Sequence, residues 1–122
     1  MILPALRPLW PSRKFRMLEP HRRHTATLGW VEGREGAVIN GNSRPWWLGW
    51  NMPLFGRAGS AVIIHDCGYD GNLKTEKAES PTRKQVDQAF YELLLQDGVP
   101  RWKAGPMYLA VRIFGKGRAW ND

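Results

Sequence analysis

The apolar run at residues 61–64 limits the fold of this chain more than any other feature, because polar residues follow it directly. Small and branched apolar side chains from about Ala58 to Tyr69 are typical of a buried helix, although residues 62–64 alone would equally suit a strand. On a helix, His65 and Tyr69 would lie four residues apart on one face. The choice between helix and strand therefore decides whether these two side chains can act together.

A second helix is predicted over about 81–96. Ser80 and Pro81 provide a cap and a proline at the first helical position, and Gly98 provides a terminator. The apolar residues with helical spacing are Val86, Phe90, Leu93 and Leu94. Asp87 is placed at the border of this apolar stripe. A carboxylate at that border can point toward a neighbouring helix or form an ion pair on its own helix, with Arg83 or Lys84.

A third helix is predicted from Pro106, a residue type that often opens helices, to about Phe114. Its expected buried face consists of Met107, Ala110, Val111 and Phe114.

The first half of the chain predicts a small antiparallel sheet. The segments with strand character are Phe15 to Leu18, Thr25 to Val31 and Ala37 to Asn40. Glu32 to Gly36 is predicted to be a hairpin loop, in which glycine supplies a positive φ. Asn40 to Gly59 is rich in Gly, Pro, Asn and Trp and predicts a long irregular loop. The predicted class is α+β, with a small sheet or hairpin, a long loop and about three helices, two of them packed antiparallel.

A chain of 122 residues has room for one domain. We expect an extended basic, proline-rich arm at 1–14, a globular domain at 15–115 and a loose tail at 116–122. Cys67 is the only cysteine, so an intramolecular disulfide is excluded. It is expected to be a packed side chain rather than a nucleophile. The chain contains neither the apolar run of a signal peptide nor a transmembrane segment.

Most of the net charge of +7 arises in the first half of the chain, where residues 1–60 carry nine Lys and Arg but three acids. Such a surface suits an anionic membrane, an acidic protein or nucleic acid, or is simply solvated. Nucleic acid is less expected, because no known binding motif is present. His21 and His24 are expected at the surface. The expected partner or membrane surface consists of Trp46, Trp47, Trp50, Arg13, Lys14, Arg22 and Arg23. The three tryptophans would alternatively belong to the core.

An ordered series of blocks resembles a phage and prophage family known as domain of unknown function 1353. The blocks are Asn40-Gly41-Asn42-Ser43-Arg44-Pro45, Trp47, Pro53, Gly56, Ala61 to Tyr69, Arg83 to Phe90, Tyr108 to Arg112 and Phe114-Gly115. The resemblance extends from about Phe15 to Gly115. The family usually has an aspartate where this chain has Asn40, so metal binding by that loop is in question here.

The pattern His65-Asp66-x-x-Tyr69-Asp70, followed by Asp87-x-x-Phe90, is similar to the two-helix core of phospholipases of the A-two type. That resemblance implies that His65 is a general base for water and Asp66 a calcium ligand. It also implies that Asp87 orients the imidazole and accepts a hydrogen bond from Tyr69. The glycine-rich calcium loop of those enzymes is not present in recognisable form.

Two functions follow from these resemblances. The first is a bacteriophage virion protein with a phospholipase-like core, which serves structure or assembly in the tail, neck or baseplate. Its partners would be other virion proteins, in a multi-copy assembly, and its location the virion or the host cytoplasm. The second is a calcium-dependent phospholipid esterase that acts on the host membrane. The second function implies calcium as a cofactor, and no other cofactor is expected.

Overall fold

The computed structural model describes residues 3–9, 14–40 and 57–115. The elements in chain order are β1 (Leu6–Pro8), β2 (Lys14–Met17), β3 (His21–Thr25), β4 (Gly29–Gly33), β5 (Val38–Asn40), α1 (Gly59–Tyr69), β6 (Leu73–Thr75), α2 (Arg83–Gln96) and α3 (Arg101–Phe114). The α+β class predicted from the sequence is therefore confirmed. None of the helices in these ranges is long and apolar enough to cross a membrane.

The strands form two antiparallel sheets of three strands each, in the orders β1-β2-β5 and β3-β4-β6. The first sheet begins earlier in the chain than expected, because Leu6–Pro8 pairs with β2 inside the segment that was predicted to be an extended arm. Strand β6 follows α1 and pairs with β4. The sheet pairing thus joins the two halves of the chain.

The prediction of a hairpin loop at Glu32 to Gly36 is wrong, although Gly36 has the expected positive φ of 84°. Strand β4 pairs with β3 and β6, whereas β5 pairs with β2 in the other sheet. The loop therefore carries the chain from one sheet to the other. The hairpin of the second sheet lies earlier, where Thr25 Oγ1 accepts a hydrogen bond from the backbone of Leu28 within the turn.

Helix α1 is the central element, and all of its residues are buried. It packs against α2 and against strands β4, β5 and β6. The helical alternative for this segment is confirmed. A Cβ atom at Gly68 would lie 2.6 Å from Val86 Cγ1 of α2, so the two helices approach closely at this glycine. That approach brings the polar end of α1 against α2.

Helix α2 begins two residues later than predicted, because its N-cap is Thr82. The Thr82 hydroxyl accepts from the backbone of Gln85 at 3.1 Å, and the Gln85 side chain accepts from the backbone of Thr82 at 2.9 Å. This reciprocal pair is a capping box, which satisfies two donors at the helix start. The helix ends at Gln96, as predicted, and Gly98 follows with φ of 85°.

Helix α3 begins at Arg101, five residues before the predicted start, so Pro106 lies inside the helix. Pro100 is the N-cap, and its carbonyl accepts from Lys103 and Ala104, which starts the helix in the preceding turn. The buried face contains the expected Met107, Ala110 and Val111. Phe114 was expected on that face but is 59% exposed, since it stands at the last turn.

Candidate functional site

His65 lies on α1 in the interior of the protein, with only 4% of its side chain exposed. Its Nε2 atom is 2.8 Å from Oδ1 of Asp87 on α2. The ring is held between two aromatic side chains, with centroid distances of 4.1 Å to Tyr69 and 4.7 Å to Phe90. These contacts fix the orientation of the imidazole.

Asp87 of α2 is fully buried and receives hydrogen bonds from side chains of the other two helices. Oδ1 accepts from the Tyr69 hydroxyl at 2.5 Å as well as from His65. Oδ2 accepts from Nη1 of Arg112 on α3 at 2.8 Å. Both oxygen atoms of Asp87 accept hydrogen bonds, and these bonds offset the cost of burying a charged carboxylate.

The environment keeps Asp87 ionised. Burial alone would raise the pKa of this carboxyl, but the hydrogen bonds from His65 and Tyr69, together with that from Arg112, outweigh it and hold the pKa below its ordinary value. The pKa of Tyr69 is raised by burial and by the hydrogen bond to Asp87. An ionised carboxylate only accepts hydrogen bonds, so Nε2 of His65 carries the proton in this pair. In the neutral imidazole, Nδ1 is then the basic nitrogen.

Arg112 is the member of the site that the sequence reasoning missed. It lies in the block from Tyr108 to Arg112 that carries the family resemblance, which was the one signal available in the sequence. A second arginine binds the C-terminal end of α3. Arg83 of α2 donates to the carbonyl of Gly115 at 2.7 Å and to the carbonyl of Arg112 at 3.1 Å. The two arginines hold the end of α3 against Asp87.

Asp66 is next to His65 in the sequence and is also buried, with 2% exposed. Calcium requires about six to eight oxygen ligands. In the ranges that the structure describes, no group of three or more His, Cys, Asp or Glu side chains could hold a metal ion. The assignment of Asp66 as a calcium ligand therefore stays a prediction.

The predicted partner surface is only partly within the described residues. Trp46, Trp47, Trp50 and Arg13 lie outside them, and of Lys14 the backbone alone is described, in β2. Arg22 is exposed on β3 and stacks over the ring of Trp30 at 4.7 Å. Arg23 instead forms a half-buried ion pair with Asp97, at 2.8 Å, and so faces the protein.

The expectation that His21 lies at the surface is wrong, because its side chain packs against the start of α1. Its Nε2 atom is 2.5 Å from the hydroxyl of Ser60, which also accepts from Arg23 at 2.8 Å. Burial, and then the charge of Arg23, lower the pKa of His21. The hydrogen bond between His21 and Ser60 joins β3 to α1. His24 is exposed, as expected.

Cys67 lies beside the site but faces the core. Its Sγ atom is 3.7 Å from Sδ of Met17, and 2% of the residue is exposed. Burial, followed by the charges of Asp66 and Asp70, raises the pKa of the thiol to about 12. A buried thiol that stays protonated is a packing side chain rather than a nucleophile.

Comparison with known proteins gives one match. A family model described as "Protein of unknown function (DUF1353)" matches residues 15–111, which include His65, Tyr69 and Asp87. Searches of curated proteins and of solved structures return no match.

Proposed function

The chain belongs to the family described as "Protein of unknown function (DUF1353)", and from that premise we propose that it is a hydrolase in which His65 activates water. The proposed substrate is the ester bond of phospholipids in a host membrane. The observation that carries the proposal is the contact of His65 Nε2 with the buried, ionised carboxylate of Asp87 at 2.8 Å. A histidine oriented by a carboxylate is the usual arrangement of a general base.

In the proposed reaction, Nδ1 of His65 takes a proton from water while the water oxygen attacks the ester carbonyl carbon. The imidazolium that forms is stabilised by Asp87, which keeps its negative charge. The same proton then passes to the departing alcohol oxygen as the ester bond breaks. A general base contributes roughly 100- to 10,000-fold to such a reaction.

Tyr69 and Arg112 are positioning residues in this proposal. Each donates to Asp87, and neither hydrogen bond can persist if the carboxylate rotates. The imidazole is therefore held in one orientation by a carboxylate that is itself fixed from two other directions. Preorganisation of this kind avoids rearrangement during the reaction.

Calcium enters the proposal only through the resemblance to phospholipases. Asp66 would supply one carboxylate ligand, and the ion would stabilise the negative charge that develops on the ester oxygen. The steps assigned to His65, Asp87, Tyr69 and Arg112 depend on their own contacts.

A second proposal is a structural or assembly role in a bacteriophage virion. The observation that favours it is the low exposure of the His65 side chain, 4%, within a network that joins three helices. In that role the network would stabilise the helix packing without reacting. The partners would be other virion proteins in a multi-copy assembly.

The two proposals are separated by fatty-acid release from anionic phospholipid vesicles, measured with calcium and with a chelator. The test variant is His65→Gln, which removes the base, and the matched control is His24→Gln, at an exposed histidine. The hydrolase proposal predicts that His65→Gln lowers the rate at least 100-fold, in line with the usual contribution of a general base. It predicts no change for His24→Gln. No release by folded wild-type protein would leave the assembly role.

A further inference from the structure

The outer face of α3 carries large apolar side chains in a row. Trp102, Leu109 and Ile113 are 78%, 59% and 69% exposed. The spacings of seven and four residues place them on one line along the helix, and the exposed Pro106 lies on the same line. We call these four residues the outer stripe. Phe114, 59% exposed, stands beside its end.

The outer stripe is separate from the core face of the same helix. Ala104, Met107, Ala110 and Val111 are buried on the opposite side, and α3 packs mainly against α2. Large apolar side chains exposed singly are ordinary on protein surfaces. Three of them aligned on a single helix with an exposed proline, over three turns, mark a contact surface rather than incidental exposure.

The charges beside the outer stripe indicate the kind of partner. Residues 98–115 contain no acid. Of their three cations, Arg112 is paired with Asp87, and Arg101 and Lys103 are the two beside the stripe. Arg101 and Lys103 are one residue before and after Trp102, which places them on opposite sides of the stripe. Two copies of α3 packed face to face would bring these like charges together. A negatively charged partner fits the surface better.

We propose that the outer stripe of α3 docks the protein on anionic lipid bilayers. Trp102, Leu109 and Ile113 enter the interface, while Arg101 and Lys103 contact lipid phosphates. An apolar stripe with cations on both sides is typical of helices that lie in the membrane interface. Pro106 and Leu109 also line a groove that contains Glu92 of α2. The inference deepens the proposed function and rests on it, because docking would bring the proposed hydrolase to its lipid substrate. The same helix, α3, also supplies Arg112 to Asp87.

The first test is co-sedimentation with vesicles of phosphatidylcholine containing phosphatidylglycerol, compared with pure phosphatidylcholine. We expect binding to the anionic vesicles that weakens as salt is raised. Trp102→Gln/Ile113→Gln should weaken binding at least about tenfold, because two inserted apolar side chains are lost. The matched control is Leu18→Gln, an exposed leucine outside α3, which should bind like wild type. Equal binding by the double variant and wild type would overturn the proposal.

The charge contribution is tested separately. Arg101→Gln/Lys103→Gln should weaken binding to anionic vesicles about tenfold, since cations at a membrane surface each contribute a several-fold factor. The matched control is Arg7→Gln/Lys74→Gln, which removes two exposed cations elsewhere. An equal loss in both double variants would mean that net charge alone drives binding, and would contradict docking by α3.

Three further measurements distinguish the alternatives. Sedimentation velocity of wild type and Trp102→Gln/Ile113→Gln reports self-association, and an oligomer that dissociates in the variant would overturn the proposal in favour of a second copy. His65→Gln should bind vesicles as wild type does. The Trp102→Gln/Ile113→Gln variant should still hydrolyse a water-soluble short-chain ester. Vesicle binding without hydrolysis by wild type would refute the proposed function and retain the docking surface.

Discussion

At the scale of single residues, Asp87 organises the candidate site. Three donors from α1 and α3 converge on its two oxygen atoms, at distances between 2.5 and 2.8 Å. A buried carboxylate with fewer partners would be protonated or would destabilise the fold. The consequences of this arrangement are measurable both in the pH dependence of stability and in single substitutions.

Asp87→Asn should lower the free energy of unfolding by about 3–5 kcal/mol at neutral pH, the usual cost of removing one partner of a buried ion pair. The pKa of Asp87 is lower in the folded protein than in the unfolded chain. Its contribution is therefore complete above pH 4 and is lost as the pH falls through the folded pKa. Urea unfolding between pH 3 and 7 should show a shallower acid loss in the variant than in wild type. Parallel curves would contradict this account of Asp87.

Tyr69→Phe removes one donor to Asp87 and keeps the ring that packs on His65. We expect the free energy of unfolding to fall by about 1.5–3 kcal/mol, the range for a hydrogen bond to a charged group. The rate of vesicle hydrolysis should fall less than in His65→Gln, because the base is still present. A Tyr69→Phe protein as stable as wild type would show that the hydroxyl contributes nothing to holding Asp87.

Helical phase predicted that His65 and Tyr69 share one face, and the resemblance to phospholipases implied that Asp87 contacts both; the structure brings the three together. The sequence did not predict Arg112. The contact of Arg112 with Asp87 depends on how α3 packs against α2, and the spacing of residues in a single helix does not determine that packing.

At the scale of elements, the close approach of α1 and α2 positions His65 against Asp87. The approach depends on Gly68, where a Cβ atom would lie 2.6 Å from Val86 Cγ1. By contrast, a Cβ atom at Gly105 of α3 would meet nothing within 4 Å. The two helical glycines therefore respond differently to the same substitution.

Gly68→Ala should destabilise the protein by about 1–3 kcal/mol, because overpacking forces the helices apart. Gly105→Ala should cost less than Gly68→Ala, because a Cβ atom at Gly105 meets no neighbouring element, although Pro106 disfavours helical backbone for a residue with a Cβ atom before it. Thermal or urea unfolding of both variants measures the contrast. An equal or larger loss in Gly105→Ala would contradict the assigned helix packing.

Helix ends were predicted less well than helix existence, for identifiable reasons. The start of α2 is set by the reciprocal hydrogen bonds of Thr82 and Gln85, which compete with the Ser80-Pro81 signal two residues earlier. The start of α3 is set by Pro100, while Pro106 is accommodated one turn later. Similar signals at neighbouring positions cannot be ranked without the tertiary contacts.

At the scale of the whole molecule, two small sheets flank a central helix that is buried throughout. The sequence indicated the α+β class, but it assigned β4 and β5 to one hairpin. Some strands in this protein pair with strands that are distant in the sequence, as β4 does with β6. Local turn signals carry no information about such long-range pairs.

The junction of the second sheet with α1 predicts a further pH effect. Buried His21 forms a hydrogen bond with Ser60, and its pKa is lower in the folded protein than in the unfolded chain. Its contribution to stability is complete above pH 6.5 and is lost as the pH falls toward the folded pKa. Urea unfolding should show wild type losing stability as the pH falls below 6.5, and His21→Asn should lack that loss. An identical loss in His21→Asn would contradict the prediction.

The central claim is that His65 is a base that activates water, and the most direct test is the ratio of fatty-acid release rates for wild type and His65→Gln on anionic vesicles. Both proteins must first show the same folded state by circular dichroism. The account predicts a ratio of at least about 100, the lower end of general-base contributions. A ratio near one, from a wild-type protein that does release fatty acid, would contradict it.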